Sequence, residues 1–255
     1  MGKLATIFSV FCRLALLLPL SGLAAVVWQY EGAGATSNEW FAARHGEPLV
    51  ALHNASNGWN AAEIRQVGKH RTVGFPETAS PFTFPTNTAN PVAVVYAVVR
   101  NSGALEGMET LVEAPYNVCV RLVPPLFASE ALKWQEELLG WRATYRVNGK
   151  DTARFEPSPA FQLVEIRFET PPLMRDLYIG NAAASPLWQR HWRGEIGELL
   201  FFTREPTQQE QHALYNYLRL KWGIPLAYDT VDAVAILNEL GIRRGAVFGT
   251  LFIVR

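Results

Sequence analysis

The chain has 255 residues, 49% of them apolar and 18% charged, and its 23 basic and 23 acidic side chains balance. Such a composition excludes intrinsic disorder, and zero formal charge lacks the basic footprint a nucleic-acid partner requires. Two cysteines exclude a disulfide-stapled scaffold, so the fold has to rest on a buried core.

Residues 1–25 read as a signal peptide. Lys3 and Arg13 give a basic n-region, and Leu14 to Leu20 is a short apolar run broken by Pro19. Gly22-Leu23-Ala24 or Leu23-Ala24-Ala25 then offers small-residue cleavage near Ala24 or Ala25. The competing arrangement is an uncleaved anchor, since Leu4 to Val27 is long enough to span a bilayer, but Arg13 would be costly at its middle. Cleavage removes Cys12, leaving Cys119 as a buried small hydrophobe or, less favoured, a thiol that bridges two chains, and loss of Lys3 and Arg13 brings the mature charge to about minus two. The expected location is secreted, periplasmic or cell-surface, with membrane contact only through an uncleaved N-terminus.

Beyond the signal, short strands alternate with turns. Gly32-Ala33-Gly34 and Phe75 to Pro91 read as irregular surface chain, and His53 to Asn60 as an exposed polar loop carrying Trp59. Val92 to Val99 is apolar on both faces, which predicts a central strand. Asn117 to Val123 is a further strand before Pro124-Pro125, and residues 126–140 fit either a short helix or a covering loop. Arg142 to Val147 runs into Asn148-Gly149, a dipeptide that tolerates positive φ at both turn positions and so predicts a tight hairpin. Gln162, Val164, Ile166 and Phe168 alternate with Glu165, Arg167 and Glu169, the pattern of a half-buried antiparallel strand.

A buried strand over Gly194 to Phe202 then leads into a helix whose ends are legible. Thr207 and Glu210 have capping-box spacing. Ala213, Leu214, Tyr217, Leu218 and Leu220 form an apolar stripe, and Gly223 with Pro225 ends the helix. Arg219 and Lys221 suit the negative end of its dipole. In the tail, Thr230 is expected to cap a short helix through Leu240, with Asp232 in its first turn and Gly241 ending it. Val247 to Val254 is an apolar strand that has to be covered. It either completes this domain or pairs with a neighbouring subunit.

The strand Gly194-Glu195-Ile196-Gly197-Glu198, the turn after it and the helix ending Lys221-Trp222-Gly223-Ile224 resemble the closing segment of bacterial laminin-G-like domains in the concanavalin A-like lectin/glucanase superfamily. Val94 to Arg100 and Leu177-Tyr178-Ile179-Gly180 are similar to the family's pattern too, and the resemblance covers roughly Trp28 to Ile224. It implies an all-β fold, a jelly-roll β-sandwich of two antiparallel sheets with one short capped helix near 207–222. The domain would span 26–226, with 227–255 as a helix-strand extension packed on the sandwich.

The superfamily's glucanases carry two glutamates flanking an aspartate on one strand, because retaining hydrolysis needs two carboxylates close together. No such run is present. Glu195 and Glu198 are the nearest candidates, but three residues apart they fall on opposite faces of a regular strand, with Glu195 solvated; Glu106, Glu109, Glu136 and Glu137 read as surface charges. The aspartates Asp151, Asp176, Asp229 and Asp232 are dispersed and the five histidines lack zinc spacing, so no cofactor is expected. A calcium site would need Asn54, Asn57 or Asn60 with backbone carbonyls. Asn54-Ala55-Ser56 also matches a glycosylation sequon. Aromatic and amide groups remain, and sugars stack on the former while bonding the latter. The expected ligand residues are Trp59, Asn57 and Asn60 on one loop and Trp188, Arg190 and His191 on another. The function expected is a secreted or cell-surface, non-catalytic binding or adhesion module for glycan or surface protein. Alternatives are a structural subunit of an envelope assembly, self-associating through Val247 to Val254, and, less favoured, a glycoside hydrolase.

Overall fold

A computed structural model describes residues 27–44, 47–52, 58–101, 103, 109–114, 118–123, 126–127, 143–152, 154–182, 190–227 and 231–243. The signal segment, the sequon, Asn57, Glu106, Trp188, residues 128–140, Thr230 and Val247 to Val254 lie outside the described residues.

The first strands are β1 (Val27–Ala35), β2 (Glu39–Arg44), β3 (Leu49–Ala51), β4 (Glu63–Val67), β5 (His70–Gly74) and β6 (Phe82–Thr83). Next come β7 (Val94–Asn101), β8 (Glu109–Ala114), β9 (Val118–Val123), β10 (Leu126–Phe127), β11 (Ala143–Val147) and β12 (Lys150–Asp151). Then follow β13 (Ser158–Phe168), β14 (Tyr178–Ile179) and β15 (Glu195–Phe202), with helices α1 (Gln208–Trp222) and α2 (Ala233–Glu239) at the end.

All strand pairs are antiparallel, in the order β10-β9-β8-β14-β6-β3-β2-β1-β15-β7-β13-β11-β12, with the β4-β5 hairpin attached to β15. This path folds on itself as a β-sandwich. Leu111 of β8, Ile179 of β14, Phe82 of β6 and Trp40 of β2 share one core with Phe201 of β15, with Val95, Ala97 and Val99 of β7 and with Ile166 of β13. Strands so far apart along the path meet only if the two halves lie face to face. Register shifts between β1 and β2 mark the corner.

The β15-β7-β13 layer is buried on both faces. Val94, Tyr96 and Val98 point away from the inter-layer core into a second one, formed with Leu200, Phe202 and the stripe of α1. Hence β7 is central, as its unbroken apolar run predicts, lying between β15 and β13. The predicted outer face of β13 is not solvated: α1 roofs it. Glu165 is fully buried, accepting the Tyr215 hydroxyl and pairing with Arg167 at 3.2 Å.

Helix α1 has the predicted ends. The Thr207 side chain accepts from the Glu210 amide, Glu210 returns to the Thr207 N–H at 2.7 Å, and Gly223 takes a left-handed φ of 72°. Asn148 and Gly149, at φ 51° and 76°, form the predicted turn between β11 and β12. Three expectations are corrected. Gly32 to Gly34 lie inside β1, and residues 75–84 run largely through the core, with Phe75, Phe82 and Phe84 buried, because aromatic side chains rather than the intervening prolines decide where this chain goes. Helix α2 is capped by Asp232, whose side chain accepts the Ala235 N–H at 3.1 Å. Leu237, Leu240 and Ile242 join the second core, so this part of the tail packs beside α1.

A β-bulge at Gly197 ties helix to sheet. Ile196 pairs with Val99 and Glu198 with Val98, so Gly197 is the extra residue. A Cβ there would stand 2.5 Å from the Trp222 ring. Gly197→Ala is expected to lower stability by about 1–3 kcal/mol, as overpacking does, while Gly103→Ala changes little. Urea denaturation of the two variants checks this.

Burial raises the Glu165 carboxyl above the usual glutamate range, with Tyr215 and Arg167 only partly offsetting it. Its contribution to stability is therefore full below the unfolded value, about 4.3, and is lost as pH rises through the raised folded value. Glu165→Gln, neutral throughout, is expected to gain stability relative to the parent between about pH 4 and 7. Parallel stability profiles across that range would contradict it.

Candidate functional site

The two segments singled out in the sequence meet at one end of the sandwich, where β4 and β8 begin and β5, β7 and β14 finish. The Asn60 amide donates to Glu77 O at 2.9 Å and to Thr78 Oγ1 at 2.8 Å, and the Asn60 carbonyl accepts the Ser80 N–H at 2.8 Å. From there the hydrogen bonds run on to the second segment. Asn181 donates to Ala79 O at 2.7 Å, the Trp192 N–H donates to Gly180 O at 2.8 Å, and the Thr110 N–H donates to Arg190 O at 2.8 Å.

This rim holds a strained backbone. Thr78 is β-branched yet sits at φ 61°, a conformation that persists only where surrounding contacts impose it. The Asn60 side chain, gripping both Glu77 and Thr78, is one such contact.

Inside the rim, Asn101 at the end of β7 and Glu109 at the start of β8 face each other across the two layers. Both are fully buried, and the Asn101 amide donates to Glu109 Oε2 at 2.8 Å while the Arg193 N–H donates to the same oxygen at 3.2 Å. Beside them, Thr110 and His191 are partners in a parallel bridge, so their side chains leave the backbone on the same side. Thr110 Oγ1 and His191 Nδ1 are buried with no hydrogen-bond partner among the described residues, and so is Trp192 Nε1. An unmet buried polar atom costs about 1–3 kcal/mol, so this end of the sandwich carries an uncompensated polar cost. Burial depresses the His191 pKa, and Arg193 depresses it further against the pull of Glu77, which favours a neutral ring offering one donor and one acceptor.

Of the expected ligand residues, Asn60 is exposed at the rim, Arg190 is half-buried there and His191 is 7% exposed. Trp59, expected on an exposed loop, is only 5% exposed; its ring is packed inward, where its large apolar area gains most. Asn57 and Trp188 lie outside the described residues. Sequence reasoning missed Asn101, Thr110, Asn181 and Glu109. In sequence the last reads as a surface charge, although Leu111 and Val112 beside it carry the signal of an acidic residue heading a core strand.

The carboxylates on β15 are also corrected. Because of the bulge, Glu195 and Glu198 leave the strand on the same face. Glu195 is partly covered and pairs with Arg65 at 3.4 Å. Glu198, fully buried, accepts from Gln29 Nε2 at 2.6 Å, Tyr217 OH at 2.7 Å and Trp222 Nε1 at 2.6 Å, with Lys221 Nζ at 2.9 Å. Both its oxygens are committed to holding α1. Among the described residues no three His, Cys, Asp or Glu side chains gather as a metal site, and no helix is long and apolar enough to cross a membrane.

If the grip of the rim strains Thr78, Thr78→Gly is expected to raise stability by up to about 1 kcal/mol, read from thermal unfolding. A loss of stability would instead assign Thr78 a packing role. No family model matches this chain, and no curated protein or solved structure matches it significantly.

Proposed function

We propose that this chain is a secreted or cell-surface, non-catalytic binding module of the laminin-G-like jelly-roll type, which holds a carbohydrate at the rim around Asn60, Arg190 and His191. The observation that carries the reading is the pair Thr110 Oγ1 and His191 Nδ1, buried side by side with no partner among the described residues. A neutral, hydroxyl-bearing ligand supplies both a donor and an acceptor without bringing a charge into a desolvated place. The side-chain carbonyl of Asn60 and the exposed carboxylate of Glu77, whose charge acts on His191, add polar groups at the outer edge, and the strain at Thr78 favours a prearranged loop.

The jelly-roll assignment draws support from strand neighbours far apart in sequence, β1 beside β15 and β15 beside β7. The motif resemblance adds to it, since Glu198, Lys221 and Trp222, residues that carry the resemblance, bond one another. Secretion rests on the basic and apolar pattern of residues 1–25.

A glycan array followed by isothermal titration tests the reading. His191→Ala and Asn60→Ala are each expected to weaken binding about three- to tenfold, the value of one or two lost hydrogen bonds, with the β-rich circular dichroism retained although His191 is buried and Asn60 holds Glu77 and Thr78, so that thermal unfolding falls. Binding to no glycan at all, or affinities indifferent to both substitutions, would reject the rim as a sugar site. Retention of a surface protein instead of any glycan would turn the proposal to a protein ligand.

A further inference from the structure

Beyond α2 the tail is carried onto the outer face of β1 and fixed there. Leu240 and Ile242 share the second core with Val27 at the start of that strand. At the next tail position the backbone of Arg243 is held from both sides by one side-chain amide: its N–H donates to Gln29 Oε1 at 2.7 Å, and Gln29 Nε2 donates to its carbonyl at 3.0 Å. The Tyr217 hydroxyl donates to the same carbonyl at 3.3 Å. Arg243 is the last described residue, so the tail is anchored where its description stops.

Past Gln29 the same face lies open. Side chains of a strand alternate, which puts Val27, Gln29, Glu31 and Ala33 on one side of β1. A groove of about 340 Å³ follows, lined by Glu31, Ala33, Gly34, Phe41 and Arg243 among others. The polar groups of its wall are matched within the chain: Glu31 Oε1 lies 3.0 Å from Lys221 Nζ and accepts from Gln29 Nε2 at 3.1 Å, and Arg71 Nη1 donates to Ala33 O at 3.4 Å. What stays uncovered is apolar. Phe41 is 47% exposed beside a floor of small residues, and a floor of that kind is filled by a bulky apolar side chain.

The sequence brings such a side chain to the right distance. Gln29 to Ala33 measures about 13 Å at a strand's rise of about 3.3 Å per residue, and an extended tail covers the same length between Arg243 and Val247. Val247 is the first residue of the tail's apolar run, and the intervening Gly245 has no side chain to collide with Glu31 and Lys221.

We propose that the groove is the seat of the chain's own C-terminal segment: residues 244–247 continue along β1 from the Arg243 anchor, Gly245 lies over Glu31, and Val247 seats on Ala33 against the Phe41 ring. The occupant is the chain's own tail rather than that of a second copy because Arg243 already stands on the groove wall. Closing the few residues from there costs little entropy, and a neighbour's tail forgoes that tether. No residue of the rim is involved, so this contact stands or falls apart from carbohydrate binding.

Paired cysteines in the full chain test the contact. Ala33→Cys with Val247→Cys is compared, after oxidation and peptide mass mapping, with Lys150→Cys and Val247→Cys. Lys150 is an exposed control on β12, five strands from β1, or about 24 Å at ordinary strand spacing. A link between positions 33 and 247 within one chain is expected at about ten times the control's yield or more, the mark of a raised effective concentration. A yield no higher than the control overturns the proposal, and a link found only between two chains overturns it in favour of a neighbouring copy. Thermal unfolding gives a second measure. Phe41→Ala and Val247→Ala are each expected to lower the midpoint by about 2–4 °C, and together by clearly less than the sum, because either change already breaks the contact. Strictly additive shifts, or none, overturn it.

Discussion

The carboxylate of Glu198 is the point on which the rest of the molecule hangs. It lies fully buried between sheet and helix, and three elements converge on it: Gln29 from β1, Tyr217, Lys221 and Trp222 from α1, and through Gln29 the backbone of Arg243 beyond α2. A desolvated charge is tolerable only when opposite charge and hydrogen bonds replace the lost water. Removing one partner from such a pair costs about 3–5 kcal/mol, while a matched apolar replacement of the whole set can cost little, so the cluster serves placement more clearly than stability. Helix α1 is thereby fixed in rotation and along its axis, where apolar packing alone would leave several nearby positions of similar energy.

Trp222 carries that constraint outward. Its indole N–H is spent on Glu198, its ring covers the bulge at Gly197, and His70 from β5 stacks on it with centroids 4.2 Å apart. The β4-β5 hairpin, the bulged strand and the helix end are thus set by one side chain. The bulge reverses which face later residues of β15 present, sending Glu198 under the helix and Leu199 and Phe201 into the inter-layer core. The same lock leaves Lys221 buried beside Glu31, so this stretch of β1 is tied to the end of the helix.

The opposite problem is solved at the rim. Two sheets cannot bury their inner faces at an open end, and here a polar pair from facing layers, Asn101 and Glu109, closes it. Polar groups at the end of a sandwich have to be matched to each other, to water or to a ligand. The matched members fix the geometry, while Thr110 Oγ1 and His191 Nδ1 have no partner among the described residues.

Local chemistry alone determined much of this protein. Thr207 and Glu210 set the start of α1 and Gly223 its end; Asn148-Gly149 set a hairpin; the unbroken apolar run of β7 announced a strand covered on both sides. Each depends on neighbours within a few residues, so each was legible. What only the tertiary structure decided depends on residues distant in sequence. In sequence Lys221 suits a helix dipole and Glu165 an open sheet face, because nothing nearby reveals that α1 lies over β13, β7 and β15 with Glu31 and Glu198 beneath it. Trp59 and the run from Phe75 to Phe84 look exposed in sequence, because composition cannot say which aromatic finds a core. The bulge at Gly197 inverted a face argument that holds for any regular strand. Asn60 and His191 lie 131 positions apart, and only the folding of two layers against each other, through residues 77–80 and 180–182, brought them to one rim.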